Sequence, residues 1–310
     1  MNEADRPTPT SLAAAIAAGR FALTAEIAPP LSCDPADVIE LARPLKGLAD
    51  AVNVTDGAGA RAHMGAAAAA AILAREGIEP IQQFTCRDRN RIALQGDLLA
   101  AAALGVRNLL LLRGDDPTAG DQPEAKPVFD LDTVGLLTTA ARLRDCGELP
   151  SGRKLTGQPT FFLGVADTPI DPPAGWAPHS LKAKADAGAQ FVQTQFCMDA
   201  GIVRRYLARL TEHGLVPRLA MLIGVVPLKS ARAARWMCKH LPGTIIPDAT
   251  IARLERAADP AAEGRRACLE LMQELAQIPG VAGAHVMAPA NPEAIPPVLA
   301  EAANIRRRTN

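Results

Sequence analysis

A chain of 310 residues with 33 Lys plus Arg against 33 Asp plus Glu carries no formal net charge, so neither nucleic acid nor an anionic membrane surface is indicated as a partner. Its 48% apolar content can bury a large core, and at 3% aromatic it lacks the platforms that stack bases. Six cysteines without a CxxC pair or a His/Cys cluster argue against a zinc site and a disulfide framework, so no metal is expected and the expected compartment is the reducing cytoplasm.

Residues 1–11 read as a loose polar tail, with Ser11 as the cap of a short helix through Gly19. The LAAAIAA run from Leu12 is too short to span a membrane. FALTAEIAPP, Phe21 to Pro30, follows as a strand that a proline pair ends, with Glu26 inside its apolar run. Asp34 caps a helix to about Leu45, and the strand DAVNVTDGAG from Asp50 opens into a glycine loop before an Ala-rich helix, Met64 to Arg75. Strand three is IEPIQQFTC, and a helix from Asn90 to Leu104 leads to strand four, NLLLLRGDDP. The four leucines of that strand indicate burial on both faces, and its carboxyl end leaves the core at Arg113.

A long loop, Asp116 to Pro127, precedes a helix from Asp130 to about Arg144, and strand five is TFFLGVAD. The helix SLKAKADAG, strand six FVQTQFCMD, a helix through Arg209 and strand seven RLAMLIGVVP continue the alternation. Helices from Ala231, Thr250 and Ala261 come before the last strand, GVAGAHVMAP, and the helix Glu293 to Ala303. About eight strand-then-helix units make the expected fold α/β, a single (β/α)8 TIM barrel over 1–310 with extra helices before the last strand.

In such a barrel the loops leaving strand ends build the active site, and those leaving helices serve stability. SGRKLTG follows a helix and is therefore not expected to bind phosphate, despite its cations. Glu26 either points into the barrel mouth, where desolvation favours a general acid, or points outward to pair with a cation. Thr55 and Asp56 end strand two, and Gln83, Thr85 and Arg87 end strand three; alternation sets Gln193 and Gln195 on one face of strand six. Lys182 and Lys184 read as a solvated helix face, with a reach to an anionic cofactor as the functional alternative. His285 is the one histidine in a ligand-facing region and, with no partner evident, reads as a satisfied core residue, while Cys197 reads as a small apolar side chain.

Taken together, TAEIAPP, VTDGA, TCRDRN, LLLLRGDDP, LKAKADAGAQFVQTQFCMD and GVVP resemble the methylenetetrahydrofolate reductase family, from about Phe21 to Pro292. The resemblance implies a flavin-binding TIM barrel that interconverts 5,10-methylenetetrahydrofolate and 5-methyltetrahydrofolate, with FAD or FMN bound and NADH or NADPH as donor. It implies Glu26 as the acid that protonates the folate nitrogen, Asp115 as the aspartate near the flavin that holds the pterin, and Gln195 as a folate contact. It further implies Thr55, Gln83, Arg113, Gly114, Ser180 and Lys184 around the flavin, with Arg113 and Lys184 facing its phosphates.

The sequence departs from the family pattern at three places. Lys229, Ser230 and Ala231 stand where an aromatic sandwiches the nicotinamide, Asn291 stands where an arginine helps bind the folate tail, and Gln83 stands where histidine is usual. The expected partners are therefore a folate substrate and, where NAD(P)H does not serve directly, an electron-donor protein, with a homo-oligomer as the assembly. A pterin-dependent methyltransferase barrel without flavin, and a flavin-binding subunit of a larger oxidoreductase, are the rival readings.

Overall fold

The computed structural model describes residues 10–289 and 291–305. Strands β1 (Ala22–Ile27), β2 (Ala51–Val54), β3 (Pro80–Thr85), β4 (Asn108–Leu112), β5 (Phe162–Asp167), β6 (Phe191–Phe196), β7 (Ala220–Val225) and β8 (Val281–Val286) pair in parallel and in sequence order. The sheet closes where β8 meets β1, with Thr24 opposite His285. Every residue of β2 and β3 is buried, as a strand covered by helices outside and side chains inside requires.

The helices are α1 (Ser11–Ala17), α2 (Pro35–Ala42), α3 (Ala66–Arg75), α4 (Arg91–Ala103), α5 (Thr133–Cys146), α6 (His179–Asp186), α7 (Ala200–Glu212), α8 (Ala231–His240), α9 (Asp248–Arg256), α10 (Pro260–Leu275) and α11 (Ile295–Ala302). Asp34, Asn90, Asp132, Asp199, Ser230 and Asp259 each accept a backbone N–H at the start of α2, α4, α5, α7, α8 and α10, so short polar residues set where the outer layer begins. Three helices, α8 to α10, separate β7 from β8 as expected. None of the described helices is long and apolar enough to cross a membrane.

Two apolar layers result. Between sheet and helices lies the main core, and inside the barrel lies a smaller cluster of Ala22, Ala51, Ile81, Leu110, Phe191 and Leu222. Phe162 stacks on Phe191 in that interior, ring centres 4.9 Å apart. Helix α1 plugs the amino-terminal end of the barrel with Leu12 and Ala15, both fully buried.

The plug is tied down by polar groups. Thr10 Oγ1 donates to Asn108 Oδ1 at 2.8 Å, Asn108 Nδ2 donates to Glu79 at 2.8 Å, and Glu79 accepts the Ser11 N–H at 2.7 Å. This corrects the sequence expectation at two residues: the cap of α1 is Thr10, which accepts the Ala13 N–H, and Ser11 is the first helical residue. The tail expected over 1–11 lies, for residues 1–9, outside the described residues, while Thr10 and Ser11 are anchored. Both would leave polar groups unpaired at the bottom of the barrel if they were loose.

Candidate active site

Period-two alternation turns Thr24 and Glu26 of β1 inward, above the apolar layer that Ala22 supplies. The carboxylate of Glu26 is aimed into the barrel mouth, its side chain 24% exposed. Its Oε2 accepts hydrogen bonds from Asn53 Nδ2 at 2.9 Å and Gln83 Nε2 at 3.3 Å, and His285 Nε2 stands 3.6 Å away. The outward reading, with a cation on the helical side, is therefore not the one realised. Gln83 serves both neighbours, because its Oε1 accepts the Asp56 N–H at 3.3 Å. Beneath them Thr24 Oγ1 lies 2.9 Å from His285 Nδ1, and Gln193 Nε2 lies 3.3 Å from the same nitrogen.

Glu26, Gln83, Lys184, Gln193, Gln195 and His285 line one cavity of about 310 Å³ at the carboxyl ends of the strands. Both glutamines of β6 share the face that the alternation predicts. Gln195 is held by its own strand and by the cover across it: Oε1 accepts the Phe196 N–H at 2.9 Å, and Nε2 donates to the Pro242 carbonyl at 3.4 Å. The segment between α8 and α9 forms this cover, with the Ile245 N–H bonded to Phe196 O at 2.9 Å. Lys184 donates to the Ala166 carbonyl at 2.7 Å, whereas Lys182 pairs with Asp186 on the surface. The two lysines of α6 thus separate into a cavity residue and a solvated one. Asp167, also on the cavity, accepts the hydroxyl of Tyr206, and burial together with this acid pushes the phenol pKa up.

The loops after β2 and β4 meet beside this cavity. Asp115 Oδ2 accepts the Gly59 N–H at 2.8 Å, and the long loop packs so closely that a Cβ on Gly120 would fall 1.9 Å from the Ala60 carbonyl oxygen. Gly114 has φ +91°, which explains a glycine between Arg113 and Asp115. Arg113 lies with its guanidinium 4.5 Å from the centre of the Phe129 ring. Arg87 is buried beneath the loops, bonded to Asp88 and to the Gly57 carbonyl. Asp56 accepts from Thr85 N at 2.8 Å and from Arg89, so the acid ending β2 is engaged in holding its neighbours.

Glu26, Gln83, Gln195 and Lys184 thus come together around one cavity. Arg113, Gly114 and Asp115 form a neighbouring group on the β4 loop, outside that cavity's lining. Thr55 is buried at the end of β2, and Ser180 is exposed in the first turn of α6. Sequence reasoning missed Asn53 and Thr24, whereas His285 is the buried, hydrogen-bonded residue expected of it and also lines the cavity. A signal for them existed in the pairing of closed parallel strands, where β1 must neighbour both β2 and β8. Cys197 is as the residue type predicted: burial pushes its thiol up to about 11, which disfavours the nucleophilic thiolate.

The donor set suits the polar ring of a flavin. Thr55 Oγ1 and Asn53 Oδ1 are buried without a hydrogen-bond partner, and a buried polar atom without a partner is costly unless a ligand supplies one. The Gln83 amide, the Lys184 ammonium and the Arg113 guanidinium add hydrogen-bonding and cationic groups on the same barrel end.

Comparison with known proteins identifies the family. The family model described as methylenetetrahydrofolate reductase matches residues 11–303. The chain is 29% identical over 168 residues to 5,10-methylenetetrahydrofolate reductase of Salmonella typhimurium, covering 53% of this chain and 49% of that protein. It is 27% identical over 188 residues to a probable methylenetetrahydrofolate reductase (NADPH) of Caenorhabditis elegans, covering 58% of this chain and 26% of that protein. The chain therefore spans about half or less of the length of these curated relatives. Among solved structures, an uncharacterized protein from Clostridium thermocellum that binds two copies of 5-methyl-5,6,7,8-tetrahydrofolic acid superposes with a TM-score of 0.62 at 12% identity, covering 95% of this chain and 99% of that one. At that identity the likeness concerns the fold.

Proposed function

The chain belongs to the methylenetetrahydrofolate reductase family, and from that premise we propose that it is a flavin-dependent oxidoreductase interconverting 5,10-methylenetetrahydrofolate and 5-methyltetrahydrofolate. One observation carries the reading: an acid, Glu26, at the floor of the barrel mouth, held by two side-chain amides and facing a cavity on the catalytic end of the barrel. A flavin, FAD in the first instance and FMN in the second, supplies two-electron exchange with the folate carbon when bound.

The chain's own residues do the rest. Glu26 gives a proton to the folate nitrogen whose bond opens, which turns a poor hydride acceptor into a cation. Asn53 and Gln83 hold the carboxylate left behind, since hydrogen bonds to the charged form stabilise it. Asp115 anchors the pterin and its charge favours the developing cation. Gln195 contributes an amide to the folate and Thr55, Gln83, Gly114 and Ser180 surround the flavin, while Arg113 and Lys184 face its phosphates. In this reading the chain is one flavin-binding barrel domain of a cytoplasmic homo-oligomer.

Electrons come from NADH or NADPH, or from a partner protein. A specific observation favours the partner: where the family carries an aromatic, Ser230 caps α8 through the Ala233 N–H at 3.2 Å and Ala231 is buried, so neither residue offers a ring to the nicotinamide. The deciding experiment is an absorbance spectrum of the purified protein followed by anaerobic titration with NADH and NADPH. A yellow protein bleached by either nucleotide and recoloured by methylenetetrahydrofolate supports a self-sufficient reductase. A yellow protein that neither nucleotide bleaches, but that methylenetetrahydrofolate reoxidises after chemical reduction, supports the partner-fed form. A protein that stays colourless with added FAD and FMN sinks the flavin reading in favour of a methyltransferase barrel.

A further inference from the structure

Three side chains below Glu26 have no task in the chemistry described above. His285 is 2% exposed, inside the barrel, and its two ring nitrogens face different company. Nδ1 lies 2.9 Å from Thr24 Oγ1 and 3.3 Å from Gln193 Nε2, and Nε2 lies 3.6 Å from Glu26 Oε2. A neutral imidazole has one N–H and one lone pair, and the hydrogen bond at one nitrogen decides which is which. An amide nitrogen can only donate: Gln193 Nε2 donates to Thr24 Oγ1 at 3.4 Å and also faces Nδ1, so a lone pair on Nδ1 suits both the amide and the hydroxyl, whose own proton can be given to it. The proton then sits on Nε2, directed at Glu26. The other end of the ring agrees, because a lone pair on Nε2 would face the oxygen that carries the carboxylate charge.

The consequence falls on the carboxyl group. Asn53 and Gln83 both bond to Oε2, and the His285 N–H adds its dipole to the same oxygen; at 3.6 Å this last contact is electrostatic rather than a full hydrogen bond. Two hydrogen bonds and this dipole on one oxygen make it the anionic one. The acidic proton is left for Oε1, which receives none of these donors. Resting on the acid role of Glu26 proposed above, we infer that His285, oriented by Thr24 and Gln193, is a positioning residue that fixes which Glu26 oxygen carries the transferable proton. The charged groups sharing the cavity with this pair, Lys184 and Asp167, are engaged with the Ala166 carbonyl and the Tyr206 hydroxyl.

The test has two readouts. Nitrogen-15 NMR of the protein without substrate, with His285 assigned through His285→Gln, reports the tautomer directly. The expected result is a ring with its proton on Nε2 and a lone pair on Nδ1, with resonances that shift in Glu26→Gln; a proton on Nδ1 overturns the inference. The second readout is steady-state kinetics of Thr24→Val, which keeps the volume and removes the hydroxyl. With the hydroxyl gone, only the longer Gln193 contact faces the Nδ1 lone pair, so the fraction of rings protonated on Nδ1 rises, and kcat falls about tenfold with KM unchanged, the equivalent of roughly one lost hydrogen bond. Thr24→Ser returns the hydroxyl and with it both the tautomer and the rate. Equal losses in Thr24→Val and Thr24→Ser, or an altered tautomer with unaltered kcat, refute the positioning role. A wild-type protein with the expected tautomer that turns over no folate refutes the function proposed above, a failure the NMR result distinguishes from that of the tautomer assignment.

Discussion

Glu26→Gln separates the acid role proposed for this residue from its place in the fold. The amide has nearly the volume of the carboxyl, and its carbonyl oxygen can accept from both Asn53 and Gln83 at the positions now 2.9 and 3.3 Å from Oε2. The network survives, so stability should change by no more than about 1 kcal/mol. What is lost is the transferable proton. General acid catalysis contributes about 10²- to 10⁴-fold, which is about 2.7 to 5.4 kcal/mol of barrel-mouth chemistry. The assay is single-turnover reoxidation of the chemically reduced protein by methylenetetrahydrofolate under anaerobic conditions, with flavin content and denaturant unfolding measured on the same preparation. A rate at least about a hundredfold below wild type, with flavin content and unfolding midpoint retained, is the expected outcome. A full rate in a variant that still binds flavin and folate refutes the acid assignment, and a rate lost together with flavin shows that Glu26 acts through binding.

Asn108→Ala removes a fully buried amide that bonds Thr10, Glu79 and the Pro80 carbonyl; at about 1 kcal/mol per bond the loss should be about 3 kcal/mol, read as a lowered urea midpoint. Unchanged stability would mean that the α1 plug is not held by this network. Cys33, Cys146 and Cys238 are exposed, whereas burial pushes Cys86 and Cys197 up to about 11 and Cys268 up to about 12. A thiol reagent should therefore label the three exposed residues in the native protein, and the buried three only in denaturant. Arg91 holds Asp130 down to about 2 through direct hydrogen bonds. A depressed carboxyl pKa stabilises the fold above the unfolded value near 3.8 and ceases to do so as pH falls through 2. Asp130→Asn should flatten the acid limb of the stability profile in that window, and an unchanged limb would count against the pair.

The hydrophobic pattern by itself determined the architecture. Apolar runs of strand length, broken by Pro, Gly or Asp and alternating with capped helical segments, permit little besides a closed parallel barrel, and all eight strands and the three consecutive helices before β8 were legible. Alternation also sufficed for the shared face of Gln193 and Gln195, because orientation within one strand is a local property. The quoted motifs carried the family, and Glu26 stood out because a lone acid in an apolar strand is costly without a purpose. The cap of α1 was misread because Thr10 and Ser11 are equivalent as local caps; the bond to Asn108 that selects Thr10 joins residues 98 positions apart.

The same limit applies to the floor of the site. His285 looked partnerless because Thr24, Glu26 and Gln193 lie 261, 259 and 92 positions away, and only closure of β8 onto β1 brings them within reach. The readings of Lys182 and Lys184 were likewise undecided until the rotation of α6 against β5 set one beside Ala166 O and the other beside Asp186. Periodicity records which face a residue occupies, so it determined the barrel and its inward-facing polar residues. Partners belong to pairs of faces from distant segments, and tertiary structure alone decided those through the order and register in which the sheet closed.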